Sequence, residues 1–237
     1  MAVDKNAVPM RQQPAKERIR NFDEVPLGYS EEEAFKESSR CMQCVKKPCI
    51  EGCPVRIDIP AFIKALLEKD FQKAIDIIKD SDFLPCVTGR VCPQEEQCQA
   101  VCVMKKLGEP ISIGRLERFL ADWDQENRKG KKSARQVKVT RKNKKVAVVG
   151  SGPAGLTCAA ELAKKGYDVV VFEGYHKLGG VLVYGIPEFR LPKAIVEKEI
   201  ELVKELGVEF VNNALIGRVL TIAELFKEGF QAVFVGA

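Results

Sequence analysis

The sequence predicts a multi-domain α plus α/β protein, with an α-helical iron–sulfur domain followed by a partial Rossmann-like nucleotide-binding domain. Three observations predict it. Eight of the nine cysteines crowd between positions 41 and 102. The hydrophobic period changes from helical to strand–helix–strand near position 146. A glycine-rich turn, Gly150-Ser151-Gly152-Pro153-Ala154-Gly155, stands just after that change. The 237 residues, 46% of them apolar, suffice for two modest packed cores. We place the helical domain at residues 1–127, a basic linker at 128–145 and the nucleotide-binding part at 146–237.

Residues 1–29 are polar, with scattered prolines, and Ser30-Glu31-Glu32-Glu33 then forms a capping box for a short helix running to the first cysteines. Pro60 opens another helix, on which Phe62, Ile63, Leu66 and Leu67 recur at helical spacing. Phe71, Ala74, Ile75 and Ile78 continue the pattern in the next helix. Over residues 115–123, Leu116, Phe119, Leu120 and Trp123 form a core-facing stripe with Glu117 beside it. Beyond the linker, 146–149 reads as a buried strand, 154–165 as a helix and 169–172 as a second strand, which together make a βαβ unit. A helix over 194–206 and strands over 208–211 and 232–235 complete the pattern.

Composition excludes several classes. The formal charge of +5 is small, and much of the excess lies in the basic run, where no aromatic residues interleave as a single-strand binding groove requires. Nucleic acid is therefore not an expected partner. No stretch approaches the roughly 18 apolar residues that signal a membrane span. The opening Met1-Ala2-Val3-Asp4-Lys5 lacks an apolar signal segment, so the expected compartment is the cytoplasm and the cysteines serve metal rather than disulfides.

Cys41, Cys44, Cys49 and Cys53 follow C-x2-C-x4-C-x3-C and precede Pro54, and Cys92, Cys98 and Cys102 form a second run. A close run ending in Cys-Pro, whose last thiolate crosses to a second cluster, is a two-cluster ferredoxin spacing. Two [4Fe–4S] clusters need eight ligands, and counting alone recruits Cys86 as the eighth, although a lone cysteine also serves as a small hydrophobe. Zinc is the rival metal, since four-cysteine sites are common structural elements.

The glycine turn follows an apolar strand and opens a helix, and Glu173 lies 23 residues after Gly150. Its glycines allow a tight turn and close backbone approach to a pyrophosphate, while Glu173 suits free ribose hydroxyls and repels a 2′-phosphate. FAD or NAD therefore fits this site better than NADP. Cys158 reads as packing and His176, the single histidine, as a loop residue.

The segments Cys41 to Pro54, Gly89-Arg90-Val91-Cys92-Pro93-Gln94, Cys98, Cys102 and Ile113-Gly114-Arg115-Leu116-Glu117-Arg118 resemble the small subunit of NADPH-dependent glutamate synthase. They are also similar to the large subunit of NADH-dependent ferredoxin:NADP oxidoreductase (sulfide dehydrogenase) and to the N-terminal part of dihydropyrimidine dehydrogenase. The resemblance implies that Cys41, Cys44, Cys49 and Cys102 hold one cluster. It implies that Cys53, Cys92, Cys98 and the non-cysteine ligand Glu117 hold the other. It selects FAD for the nucleotide site, through Leu178-Gly179-Gly180-Val181-Leu182 and the segment from Gly185 to Pro192. Gly150, Ser151, Gly152, Pro153, Ala154 and Gly155 would then cradle the pyrophosphate, with Glu173 on the ribose and Gly180, Val181 and Arg190 along the flavin.

The implied function is an FAD- and iron–sulfur-dependent oxidoreductase that feeds electrons from NADPH to a partner's active site, with no catalytic residue of its own assigned. The expected partner is a glutamate synthase large subunit or, in the bifurcating relative, a ferredoxin-reductase-like small subunit, giving an oligomeric assembly. A non-catalytic two-cluster electron-transfer module is the alternative of another class. The family's second G-x-G-x-x-G domain, for NADPH, is expected to be absent from this chain, which is either a fragment or completed by another polypeptide.

Overall fold

The computed structural model describes residues 4–128 and 140–237, and most of the expected basic linker lies outside the described residues. Two compact units emerge, one of residues 4–128 with 188–190 and the other of residues 140–187 with 191–237.

The first unit is helical. After the short α1 (Ala15–Arg18), α2 (Glu31–Ser39) starts at the expected capping box: the Ser30 hydroxyl accepts from Glu33 N at 3.3 Å, and the Glu33 carboxylate accepts from Ser30 N at 2.6 Å. This reciprocal pair satisfies two otherwise orphaned donors. The short α3 (Pro48–Glu51) lies inside the first cysteine run. α4 (Ile59–Leu67) is capped by Asp58 and α5 (Phe71–Lys79) by Asp70. α6 (Pro85–Val91) ends at Cys92, and α7 (Ile113–Asn127) carries the long stripe.

Phe62, Ile63, Leu66, Ile75, Ile78, Leu116 and Leu120 are all fully buried and make one core between α4, α5 and α7. Phe71 stacks among Phe35, Phe119 and Trp123, with ring centroids 6.0, 5.8 and 5.4 Å away. Three stripe positions depart from expectation. Leu67, at the last turn of α4, is exposed, and Phe119 and Trp123 are half-buried at the core's edge.

The second unit is a parallel sheet with helices. It comprises β1 (Lys145–Val149), α8 (Pro153–Lys164), β2 (Asp168–Phe172), α9 (Val181–Tyr184), α10 (Lys193–Glu205), β3 (Glu209–Val211), α11 (Ile222–Lys227) and β4 (Ala232–Val235). The strand order is β3-β2-β1-β4, with Val149 opposite both Phe172 and Val235. This is the 3-2-1-4 order of a doubly wound nucleotide-binding half, whose ligands bind where the order reverses, beyond the C-terminal ends of the strands. One sheet face is closed by Ala147, Val170, Phe172, Ala214, Leu225 and Phe230. Among the described residues no helix is long and apolar enough to cross a membrane.

Candidate functional site

The four thiols of Cys41, Cys44, Cys49 and Cys102 line one pocket in the helical unit. Its remaining wall is apolar, made by Ile59, Ile63, Met104, Ile111, Ile113 and their neighbours around about 390 Å³ of empty space that is partly open to solvent. The local chain explains the convergence. Gln43 and Lys47, between the cysteines, and Arg56, just past Cys53, take left-handed backbone conformations that ordinary L-residues rarely adopt. The Gln43 side-chain amide spans from the Cys41 sulfur, at 3.6 Å, to the Pro60 carbonyl, at 3.1 Å.

Gly52 lets the two cysteine runs interleave. A Cβ there would meet a Val101 methyl at 2.6 Å and Gln97 O at 3.0 Å, so the loop before Cys53 is pressed against the loop between Cys98 and Cys102. Of the other expected set, Cys53 and Glu117 lie close enough to Cys92 and Cys98 to oppose their ionisation. Cys53, Cys98 and Glu117 are buried, Cys92 is half-buried, and its thiol donates to Gln97 Oε1 at 2.9 Å. Glu117, which sequence spacing alone would leave as a surface helix residue, is only 5% exposed. The rival Cys86 is also buried, on α6.

Electrostatics follows the same partition. Burial pushes the Cys49 thiol up to about 11, with Cys41 and Cys102 adding to it, and raises Cys41, where Cys102 and Cys44 contribute. In the other group burial, then Glu117 and Cys53, pushes Cys92 up to about 11 and Cys98 higher still. Glu117 itself is pushed up to about 8 by burial, then by Asp82. Soft donors this crowded and desolvated become anionic only beside positive charge, so the donor chemistry fits a metal-containing group. Among the described residues no three His, Cys, Asp or Glu side chains close on a point that would hold a single ion.

In the strand unit, Gly150 takes φ +94°, a left-handed value that only glycine adopts freely, and a Cβ there would press on Gly236 O at 2.9 Å. At Gly155 a Cβ would sit 1.9 Å from Gly150 O, so this glycine lets α8 close onto the turn. Gly152 differs, since a Cβ there meets nothing within 4 Å. It faces open space at the start of α8, where backbone N–H groups and the helix dipole favour a phosphate.

Glu173, just past β2, is buried against this turn. Its carboxylate accepts from Ser151 N at 2.9 Å, from the Ser151 hydroxyl, and from Tyr175 N at 2.9 Å. Each carboxylate oxygen has two acceptor positions, so capacity beyond these bonds is left for a ribose hydroxyl. The Ser151 hydroxyl also accepts from Gly179 N at 3.0 Å, a second role that the motif did not reveal. Gly180 comes to the same place, since a Cβ on it would lie 2.8 Å from Gly152 Cα. Pro153 and Ala154 are exposed at the helix start and Val181 is exposed at the start of α9, whereas exposed Arg190 groups with the helical unit. His176 is an exposed loop residue whose ring nitrogen lies 3.3 Å from the Tyr184 hydroxyl.

Comparison with known proteins accords with this division. Residues 18–129 match the family described as dihydropyrimidine dehydrogenase domain II, 4Fe-4S cluster, and residues 148–187 match the NAD(P)-binding Rossmann-like domain. The NAD-dependent dihydropyrimidine dehydrogenase subunit PreT of Salmonella typhimurium is 37% identical over 216 residues, 90% of this chain and 51% of that protein. The small chain of NADPH glutamate synthase from Azospirillum brasilense is 36% identical over 218 residues, 91% of this chain and 44% of that one. The putative oxidoreductase UacF of Escherichia coli K12 is 36% identical over 229 residues, 94% of this chain and 34% of that one. The chain thus spans about half the length, or less, of these curated relatives. It carries an iron–sulfur domain followed by a Rossmann-like nucleotide-binding segment.

Proposed function

We propose that this chain, a homologue of glutamate synthase small chains and PreT subunits, is the electron-input part of an NADPH-dependent glutamate synthase. The observation that supports the reading is the pocket lined by Cys41, Cys44, Cys49 and Cys102 in the helical unit, with Cys53 and Glu117 near enough to Cys92 and Cys98 to oppose their ionisation, in a chain that also carries a Rossmann turn. When bound, FAD takes two electrons from a reduced nicotinamide and releases them singly, which is the form in which [4Fe–4S] clusters carry them.

The chain's own residues bind and insulate these groups. Cys41, Cys44, Cys49 and Cys102 hold one cluster against the apolar wall of Ile59, Ile63 and Ile113. Cys53, Cys92, Cys98 and Glu117 hold the other, and the harder carboxylate gives it a different potential from an all-thiolate cluster. The turn from Gly150 to Gly155 receives the FAD pyrophosphate and Glu173 its ribose, with Gly180 and Val181 along the flavin. The partner is the large synthase subunit, and the assembly works in the cytoplasm, where thiols stay reduced.

Matches to PreT subunits favour a second reading, in which the same carriers serve a dihydropyrimidine dehydrogenase partner and NAD. Co-expression with each candidate partner separates the two, through glutamate formation in one case and pyrimidine reduction in the other. The shared core is tested by anaerobic iron, sulfide, zinc and flavin analysis of the wild type, Cys86→Ala and Glu117→Ala. We expect about eight irons with matching sulfide, bound FAD, and a cluster altered by Glu117→Ala alone. Zinc without sulfide would overturn the cluster reading, and loss of a cluster only in Cys86→Ala would overturn the choice of Glu117.

A further inference from the structure

We propose that Gln94 is a positioning residue for the second cluster: its amide, seated on Gly114, holds the Glu117 carboxylate toward Cys53, Cys92 and Cys98 and moderates its donation to iron. The proposal rests on Glu117 being a cluster ligand. The Gln94 side-chain nitrogen donates to Glu117 Oε2 at 3.3 Å, and among the described residues it is the one side-chain donor to that carboxylate. Gln94 is 8% exposed, so its amide is withdrawn from water together with Glu117.

Its backbone is fixed by the cysteine loop. Gln94 N donates to Cys92 O at 2.9 Å, and Gln94 O accepts from Gln97 N at 3.1 Å and Gln99 N at 2.9 Å. Gly114 supplies the seat, because a Cβ there would stand 1.5 Å from the Gln94 oxygen and 1.8 Å from its nitrogen. One turn away, a Cβ on Gly89 would meet Arg118 N at 2.8 Å, so α6 and α7 cross in backbone contact at this level. The segments around Cys92 and around Glu117 are therefore one device. Gly89 brings α6 against α7, Gly114 seats the amide, and the amide spans from the cysteine loop to the carboxylate.

A donor on a ligand carboxylate withdraws electron density that would otherwise reach the metal, and such outer partners tune the centres they support. Removing the donor while keeping the shape makes the carboxylate a stronger donor and favours the oxidised cluster. The test is Gln94→Met in the anaerobically purified full chain, read by iron and sulfide content and by redox titration followed with electron paramagnetic resonance. Glu117→Ala and the double variant run beside it.

We expect Gln94→Met to keep wild-type iron and sulfide, to lower the midpoint potential of one cluster and alter its signal, and to leave the other cluster unmoved. In the Glu117→Ala background the same change should add no further shift. Gly114→Ala, which displaces the amide, should alter the same cluster. Should Gln94→Met fail to fold, Gln94→Leu also removes the donor and reads the same potential. Unmoved midpoints in Gln94→Met, with Glu117→Ala still altering one cluster, would refute the positioning role and spare the ligand assignment. A Glu117→Ala protein with both clusters unaltered would instead remove the ligand assignment itself. Cluster loss in Gln94→Met with retention in Glu117→Ala would make Gln94 a ligand, and the proposal wrong.

Discussion

At Gly152 and Gly155, two glycines of one motif, an added methyl group has opposite consequences. On Gly155 it would lie 1.9 Å from a backbone oxygen, which nothing flexible can relieve. Gly155→Ala should therefore destabilise the strand unit by about 1–3 kcal/mol, the usual cost of overpacking, and lower the melting temperature. On Gly152 the methyl group meets only open space. Gly152→Ala should melt like the wild type yet bind FAD at least tenfold more weakly in a fluorescence titration, about 1.4 kcal/mol. Equal flavin affinity in the two proteins would mean that the nucleotide does not approach this backbone. The motif revealed both glycines but not this difference, which depends on what the fold places opposite each one. Glu173 was legible as an acidic residue at a strand end, whereas its bonds to Ser151 and Tyr175 were not, because they form only after the turn closes.

Among the elements, the ones legible in the sequence were those with a period or a cap. The box at Ser30 and Glu33 stands at the start of α2, and Ser30→Ala should cost about 1 kcal/mol, as lost N-caps do, measurable by chemical denaturation. The short α6, α9 and α11 escaped because four to seven residues cannot display a helical repeat. What α2 does beyond its cap was equally hidden. Glu37 and Arg40, both fully buried, pair at 2.6 Å, and Glu37 also accepts from Val8 N and Ser112 N. Ser112 separates Ile111 from Ile113, two walls of the first cysteine pocket, and Arg40 precedes Cys41. Glu37→Ala leaves a buried guanidinium uncompensated and should cost about 3–5 kcal/mol, with lower iron retention on gel filtration. In α11, the Thr221 backbone N–H and hydroxyl hold the Glu224 carboxyl below the usual glutamate range. The stability this gives is present above the unfolded-state pKa and is lost as pH falls through the folded one. Thr221→Ala removes the hydroxyl and keeps the N–H, so it should return the Glu224 titration, followed by NMR, only part of the way to its ordinary value.

For the whole molecule, the sequence made legible a helical cysteine-bearing half and a βαβ half, since both rest on local periods. It did not disclose the order β3-β2-β1-β4, because which strands pair across a sheet depends on contacts far apart in the chain. The pairing of Gln94 with Gly114 was hidden for the same reason. In the helical half, burial holds thiols protonated near neutral pH, with Cys49 and Cys92 pushed up to about 11. A metal-containing group must displace those protons, so its binding free energy adds to folding and weakens as pH falls. Extracting the iron should lower the stability of this half and quicken amide hydrogen exchange across residues 41–53 and 92–102, where the backbone is bent into left-handed turns at Gln43 and Lys47. In a chelator competition, cluster retention should decline from pH 8 to pH 6, since each released thiolate is recaptured by a proton. Exchange unchanged by iron removal would mean that the loops hold their shape alone, and that the metal contributes nothing to the fold around it.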